Sequence, residues 1–168
     1  MTVTFQESGL NFGPFEENSL FRIELSNGYR SIQEHTKIAE FIWVAPSSNL
    51  WVVEAKSTLP RPTSEKYEAF FEDIKSKLTN TLVLTVTSLL HRQPEIYNEL
   101  PQQFIDLDWA TTKFKLTLVI PEAPNSHLPP ITEKLRRILS GMRKPWGIDE
   151  LSINVLNKEQ AIKFGLAS

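Results

Sequence analysis

Cysteine is absent from the 168-residue chain, which excludes disulfides and every thiolate metal site and fits a reducing compartment. No apolar run is long enough to span a bilayer, and Met1-Thr2-Val3-Thr4 does not open a signal peptide. A cytoplasmic protein with no membrane partner is therefore expected. Neither sign of charge is in surplus: 18 Lys and Arg against 20 Asp and Glu leave a net of -2. That balance argues against non-specific coating of nucleic acid and leaves any such contact to a local basic patch. Glycines number six. Gly9 to Gly13 lacks the spacing of a phosphate-cradling loop, so P-loop nucleotide hydrolysis is not supported, and no serine-hydrolase elbow is present. His35, His91 and His127 are scattered without ligand spacing and read as surface or hydrogen-bonded side chains.

What is present is enough chain for one domain, residues 1–168, with a real core and no obvious linker. Its centre is Lys37 to Lys56, KIAEFIWVAPSSNLWVVEAK. Two apolar runs, Lys37 to Ala45 and Leu50 to Lys56, flank a Pro-Ser-Ser-Asn breaker and predict a β-hairpin. The strand period of two puts Glu54 and Lys56 on one face with Val52, and Trp51, Val53 and Ala55 on the other. A three-residue turn would set Ala45 against Asn49 and bring Glu40 directly opposite Glu54. Two carboxylates and an ammonium then meet on one face of an Ile-, Val- and Trp-rich sheet. Charges in such surroundings shift their pKa or require compensation, which a divalent cation between the carboxylates would supply. Trp43 and Trp51, on the far face, are assigned to core packing.

Elsewhere, Val3 to Phe5 reads as a short edge strand within a first segment too broken for a long helix. Leu20 to Leu25 alternates as a strand, followed by a turn at Ser26-Asn27-Gly28, with Tyr29 to Ile32 pairing back or leading on to Lys37. Beyond Pro60 and Pro62, Thr63 or Ser64 offers an N-cap to one long helix reaching about His91. Within it Thr81 to Thr87, TLVLTVT, is rich in β-branched residues, but no breaker precedes it. Gln93 to Ala110 reads as a loop with a turn of helix, Lys113 to Ile120 as an inner strand and Glu122 to Pro130 as a loop. Ile131 to Met142 is expected to be a helix bounded by Gly141 and Pro145. Leu151 to Leu156 is a last strand, and Lys158 to Phe164 a closing helix stopped by Gly165. The order predicts an α/β fold with a central mixed sheet flanked by helices.

Glu40, thirteen residues, then Glu54-Ala55-Lys56: this pattern resembles the PD-(D/E)xK nuclease superfamily, whose fold is restriction-endonuclease-like with a βββαβ core. The resemblance covers roughly residues 20 to 120 in topology and three residues in motif. It implies a metal-dependent nuclease that cleaves phosphodiester bonds of DNA or RNA. Glu40 and Glu54 would be the ligands of Mg²⁺ or Mn²⁺, and Lys56 would stand beside the nucleophile. Carboxylate oxygens suit a hard cation, which lowers the pKa of bound water and neutralises phosphate charge. The family's usual Asp at the first position is Glu40 here, with no proline before it. Its opening helix, which often supplies a further glutamate, has little room in residues 1–19, and Glu16, Glu17 or Glu24 are the substitutes available. Against this stands the plainer reading of E-x-K as a solvated ion pair of small energetic weight. Two alternatives remain open: a catalytically degenerate relative, or an interaction or assembly subunit. A homodimer or larger complex is expected where a nuclease of this size must reach both strands.

Basic side chains cluster once, in Ile131 to Pro145. Lys134, Arg136, Arg137, Arg143 and Lys144 face Glu133 alone, a candidate phosphate-contacting surface that reads equally as a solvated helix face. Arg61 and Arg92, which flank the long helix, could extend it.

Overall fold

A computed structural model describes residues 1–168. Five strands form the central mixed sheet: β3 (Leu20–Phe21), β4 (Phe41–Val44), β5 (Leu50–Ala55), β6 (Phe114–Val119) and β7 (Ile153–Leu156), side by side in that order. The first three are antiparallel, while β5, β6 and β7 run parallel. A separate antiparallel pair, β1 (Thr2–Glu7) and β2 (Leu10–Glu16), precedes them. The helices are α1 (Asn27–Arg30), α2 (Lys66–Leu89), α3 (Pro94–Glu99), α4 (Gln102–Asp106), α5 (Leu128–Trp146) and α6 (Lys158–Lys163). The expected α/β class and mixed sheet are therefore present, and the crossovers β5-α2-β6 and β6-α5-β7 are what parallel neighbours require.

The sheet has a core on each face. Ile42, Val44, Leu50, Val52, Leu116 and Leu118 pack against Phe71, Ile74, Leu78 and Leu82 of α2 and Leu135 and Leu139 of α5. Trp43, Trp51, Val53 and Val119 pack on the other face with Phe12 and Phe15 of β2 and Ala161 of α6. The two tryptophans are directly paired across β4 and β5, ring centroids 6.3 Å apart, which is the packing role expected of them.

The central hairpin has the predicted register. The Ala45 N–H donates to the Asn49 carbonyl at 2.9 Å, Ser48 takes a left-handed conformation (φ 59), and Phe41 pairs with Val53. The helix after it also forms as one piece. The Ser64 hydroxyl accepts from the Lys66 N–H at 3.2 Å. The β-branched run stays helical because Thr81 and Thr85 donate their hydroxyls to carbonyls four residues back, each at 2.7 Å. The buried hydroxyls of Thr81 and Thr85 are thus satisfied inside the helix itself.

Several boundaries differ from expectation. Leu20–Leu25 is strand only at Leu20–Phe21; Ile23–Leu25 is a 3₁₀ turn. Ser26 is not in a hairpin turn but caps α1, accepting from the Tyr29 N–H at 3.2 Å, so Tyr29 is helical and does not pair back. Val3–Phe5 lies within β1, which turns through Ser8 (φ 49) and Gly9 (φ 81) into β2 rather than edging the main sheet. Such positive φ values suit a tight hairpin turn. Gln93–Ala110 holds two short helices, α3 and α4. Helix α5 starts at Leu128 and runs past both Gly141 and Pro145 to Trp146. Its real stop is Gly147, whose left-handed φ of 64 ends the turn while the Ile148 N–H returns to the Arg143 carbonyl at 3.0 Å.

Candidate functional site

Extending the β4–β5 register by one residue sets Glu40 opposite Glu54, on the face of the sheet that α2 covers. Glu54 is fully buried, with no solvent exposure, and Glu40 is half-buried. A buried carboxylate demands partners, and the helix supplies the nearest: the Lys77 ammonium donates to Glu54 Oε1 at 2.7 Å. Lys56 reaches the same oxygen at 3.1 Å from the end of its own strand. Asp73, one turn before Lys77, lies 3.9 Å from Lys56 and accepts from Lys37 at 2.6 Å. Glu54 Oε2, by contrast, is buried and has no hydrogen-bond partner.

The electrostatics follow from this crowding. Glu40 is pushed up to about 7, first by burial and then by repulsion from Glu54, Glu7 and Glu24, with Lys77 drawing it down only in part. Burial pushes the Glu54 carboxyl up as well, against the hydrogen bonds and charges of Lys77 and Lys56. Burial also opposes the Lys77 charge, but its hydrogen bond and attraction to Glu54, with Glu40 behind, outweigh that and raise its pKa. The 2.7 Å contact is the length of a charge-assisted bond, and we take Lys77 and Glu54 as an ion pair. For Asp73 burial is outweighed by the Lys37 hydrogen bond and charge, and its pKa is lowered.

The structure thus brings together Glu40, Glu54 and Lys56, the three residues singled out by spacing. Of the spare glutamates, Glu24 is close enough to raise Glu40, whereas Glu16 pairs with the N-terminal ammonium at 3.7 Å and Glu17 is exposed. Lys77 and Asp73 were not legible as site residues. One signal was available: Lys77 falls between Ile74 and Leu78 on the apolar face of α2, where a lysine requires an anion. No group of three or more His, Cys, Asp or Glu side chains converges into a metal cluster. Glu40 and Glu54 are cross-strand neighbours by register, however, and Glu54 is close enough to raise Glu40; Mg²⁺ is commonly bound by one or two carboxylates, with waters and substrate phosphates completing the shell.

The basic residues of α5 do not gather into one surface. Lys134 binds Glu68 at 2.6 Å and lies over the Tyr67 ring. Arg136 donates to the Ile153 carbonyl at 3.1 Å and Arg143 to the Ile148 carbonyl at 3.3 Å. Arg137 and Lys144 are exposed, as are Arg61 and Arg92. His35 and His127 are exposed, and the His91 ring lies tilted against the Tyr97 ring, centroids 4.0 Å apart. No helix is long and apolar enough to cross a membrane. Comparison with protein-family models, with curated proteins and with solved structures finds no match.

Proposed function

We propose that the chain is a restriction-endonuclease-like hydrolase that cleaves phosphodiester bonds of DNA or RNA with Mg²⁺ or Mn²⁺ held by Glu40 and Glu54. The observation that carries this reading is the state of Glu54: buried, tied at Oε1 to two lysines, and left at Oε2 without any donor, opposite a second carboxylate. An orphaned buried oxygen is costly. A hard cation coordinated there would satisfy that oxygen and relieve the repulsion that raises Glu40. The strand and helix order β3-β4-β5-α2-β6 agrees with the core order that the resemblance implies.

When bound, the cation would neutralise phosphate charge and lower the pKa of a coordinated water. The chain's own residues have distinct parts in this reading. Glu40 and Glu54 provide the carboxylate oxygens. Lys56, more exposed than Lys77 (29% against 18% of the side chain), is the ammonium that this reading assigns to a substrate phosphate. Lys77 stays on Oε1. Arg137 and Lys144 remain available for phosphates further along the nucleic acid, and a homodimer or larger complex would let two such sites reach both strands.

A second reading draws on the same ion pairs. Lys77 and Lys56 already balance Glu54 without a cation, as in a relative that has kept the arrangement and lost the chemistry. Calorimetric titration with Mn²⁺, beside a cleavage assay on DNA and RNA, separates the two. We expect the wild type to bind Mn²⁺ and cleave, and Glu54→Ala to do neither while remaining folded. A wild type that binds no Mn²⁺ and cuts neither substrate selects the non-catalytic reading.

A further inference from the structure

Glu40 precedes the first paired residue of β4, so the sheet ladder does not by itself hold the segment that carries it. Helix α2 grips that segment instead. The Ala39 N–H donates to Thr81 Oγ1 at 2.8 Å, and the same hydroxyl donates to the Lys77 carbonyl at 2.7 Å. Asn80 Nδ2 donates to the Lys37 carbonyl at 3.0 Å. One turn earlier, Lys77 Nζ holds Glu54 Oε1 at 2.7 Å. A mid-helix threonine ordinarily does no more than bond back to its own helix. Thr81, fully buried, also uses its acceptor capacity on the residue next to Glu40. A single turn of one helix therefore touches both the segment leading into β4, at Ala39, and strand β5, at Glu54.

We infer that the Lys77–Thr81 turn of α2 is the positioning element of the site, Thr81 fixing Glu40 and Lys77 fixing Glu54 so that their free oxygens converge on one divalent cation. This rests on the proposed reading of the carboxylate pair and adds two residues to it. Neither touches substrate or cation. Each acts through a carboxylate, as outer residues of metal sites do when they orient a ligand. Lysine 77 alone tests this poorly, because its removal changes the local charge as well as the geometry. Threonine 81 has no charge, so its substitution isolates position.

The experiment is calorimetric Mn²⁺ titration of the full chain. Thr81→Val keeps the shape and deletes both hydrogen bonds; Thr81→Ser keeps both. We expect Thr81→Val to weaken Mn²⁺ binding about tenfold or more and Thr81→Ser to stay within about threefold of wild type. Thr85→Val is the control for packing alone. Thr85 is equally buried and bonds back to the Thr81 carbonyl at 2.7 Å, but has no bond to the Glu40 segment; its variant should bind Mn²⁺ as the wild type does. If Thr81→Val does not fold, Asn80→Ala carries the test from a half-buried position, with a weakening of about threefold or more expected. Thr81→Val binding as tightly as wild type, or Thr85→Val losing as much, overturns the positioning role while leaving the cation site intact. A wild type that binds no Mn²⁺ removes the site itself, and this inference with it.

Discussion

At the residue scale the site is defined by unequal treatment of two glutamates. Glu54 is buried and has ammonium partners; Glu40 is half-buried and raised to about 7. The sign of the Glu40 contribution follows from linkage. A carboxyl whose pKa is higher folded than unfolded binds its proton more tightly in the native state, so stability falls as pH rises from its ordinary 4.5 through about 7. Glu40→Gln removes that penalty. Thermal melts at about pH 5 and about pH 8 should show the variant gaining on wild type only at the higher pH; an equal difference at both would deny the raised value. Lys77 acts in the opposite sense. Lys77→Met leaves the fully buried Glu54 without its shortest contact, and breaking a buried pair from one side costs about 3–5 kcal/mol. Urea titration should report a loss of that order, against about 1 kcal/mol or less for Lys56→Met, which removes the longer and more exposed contact.

At the scale of elements, legibility tracked the strength of local chemistry. The β4–β5 register could be read because Ser47-Ser48 in a three-residue turn and the alternation of Trp51, Val53 and Ala55 allow one pairing that buries the right face. The length of α2 was readable because its apolar period continues through Thr81 to Thr87 without a breaker. The contact of Lys77 with Glu54 was not readable: it depends on which face of α2 crosses which strand, and periodicity alone treats a lysine there as an interruption. The β1–β2 hairpin was missed for a related reason, since the apolar content of β1 is slight and only its pairing with Phe12 and Phe15 gives Val3 and Phe5 a core to face. Sequence alone misplaces the end of α5 because Gly141 and Pro145 are both helix breakers by propensity, yet the stripe Ile131, Leu135 and Leu139 continues past the glycine in Met142 and Trp146, which pack against the same core and keep the helix docked. That yields a prediction belonging to the helix. Gly141 lies exposed within α5, with nothing within 4 Å of where a Cβ would stand. Gly141→Ala should therefore stabilise the protein by about 0.5–1 kcal/mol, seen as a higher urea midpoint with unchanged slope.

At the scale of the whole molecule, the carboxylate pair joins elements far apart in sequence. Glu40 and Glu54 come from the central hairpin, Lys77 and Thr81 from the crossover helix, and Glu24, whose charge reaches Glu40, from the turn after β3. Apart from Lys77 and Thr81, which are four residues apart on one helix, these groups are brought together only by folding. A cation that binds the assembled pair binds the native state alone, and stabilises it by mass action in proportion to its excess over Kd. At about one hundred times Kd the gain is about 2.7 kcal/mol, enough to raise the melting temperature by several degrees for a chain of this size. A cation bound by this pair would also have to displace the proton that Glu40 holds up to about 7, so under that reading the shift is larger at about pH 8 than at about pH 6. Melts of the wild type with and without millimolar Mn²⁺ at both pH values, beside Glu54→Ala, measure this directly. A shift that grows with pH and vanishes in the variant ties the cation to this pair. A shift of equal size in Glu54→Ala would place the bound cation elsewhere, because no other arrangement in the fold sets an unpartnered buried carboxylate oxygen opposite a second carboxylate.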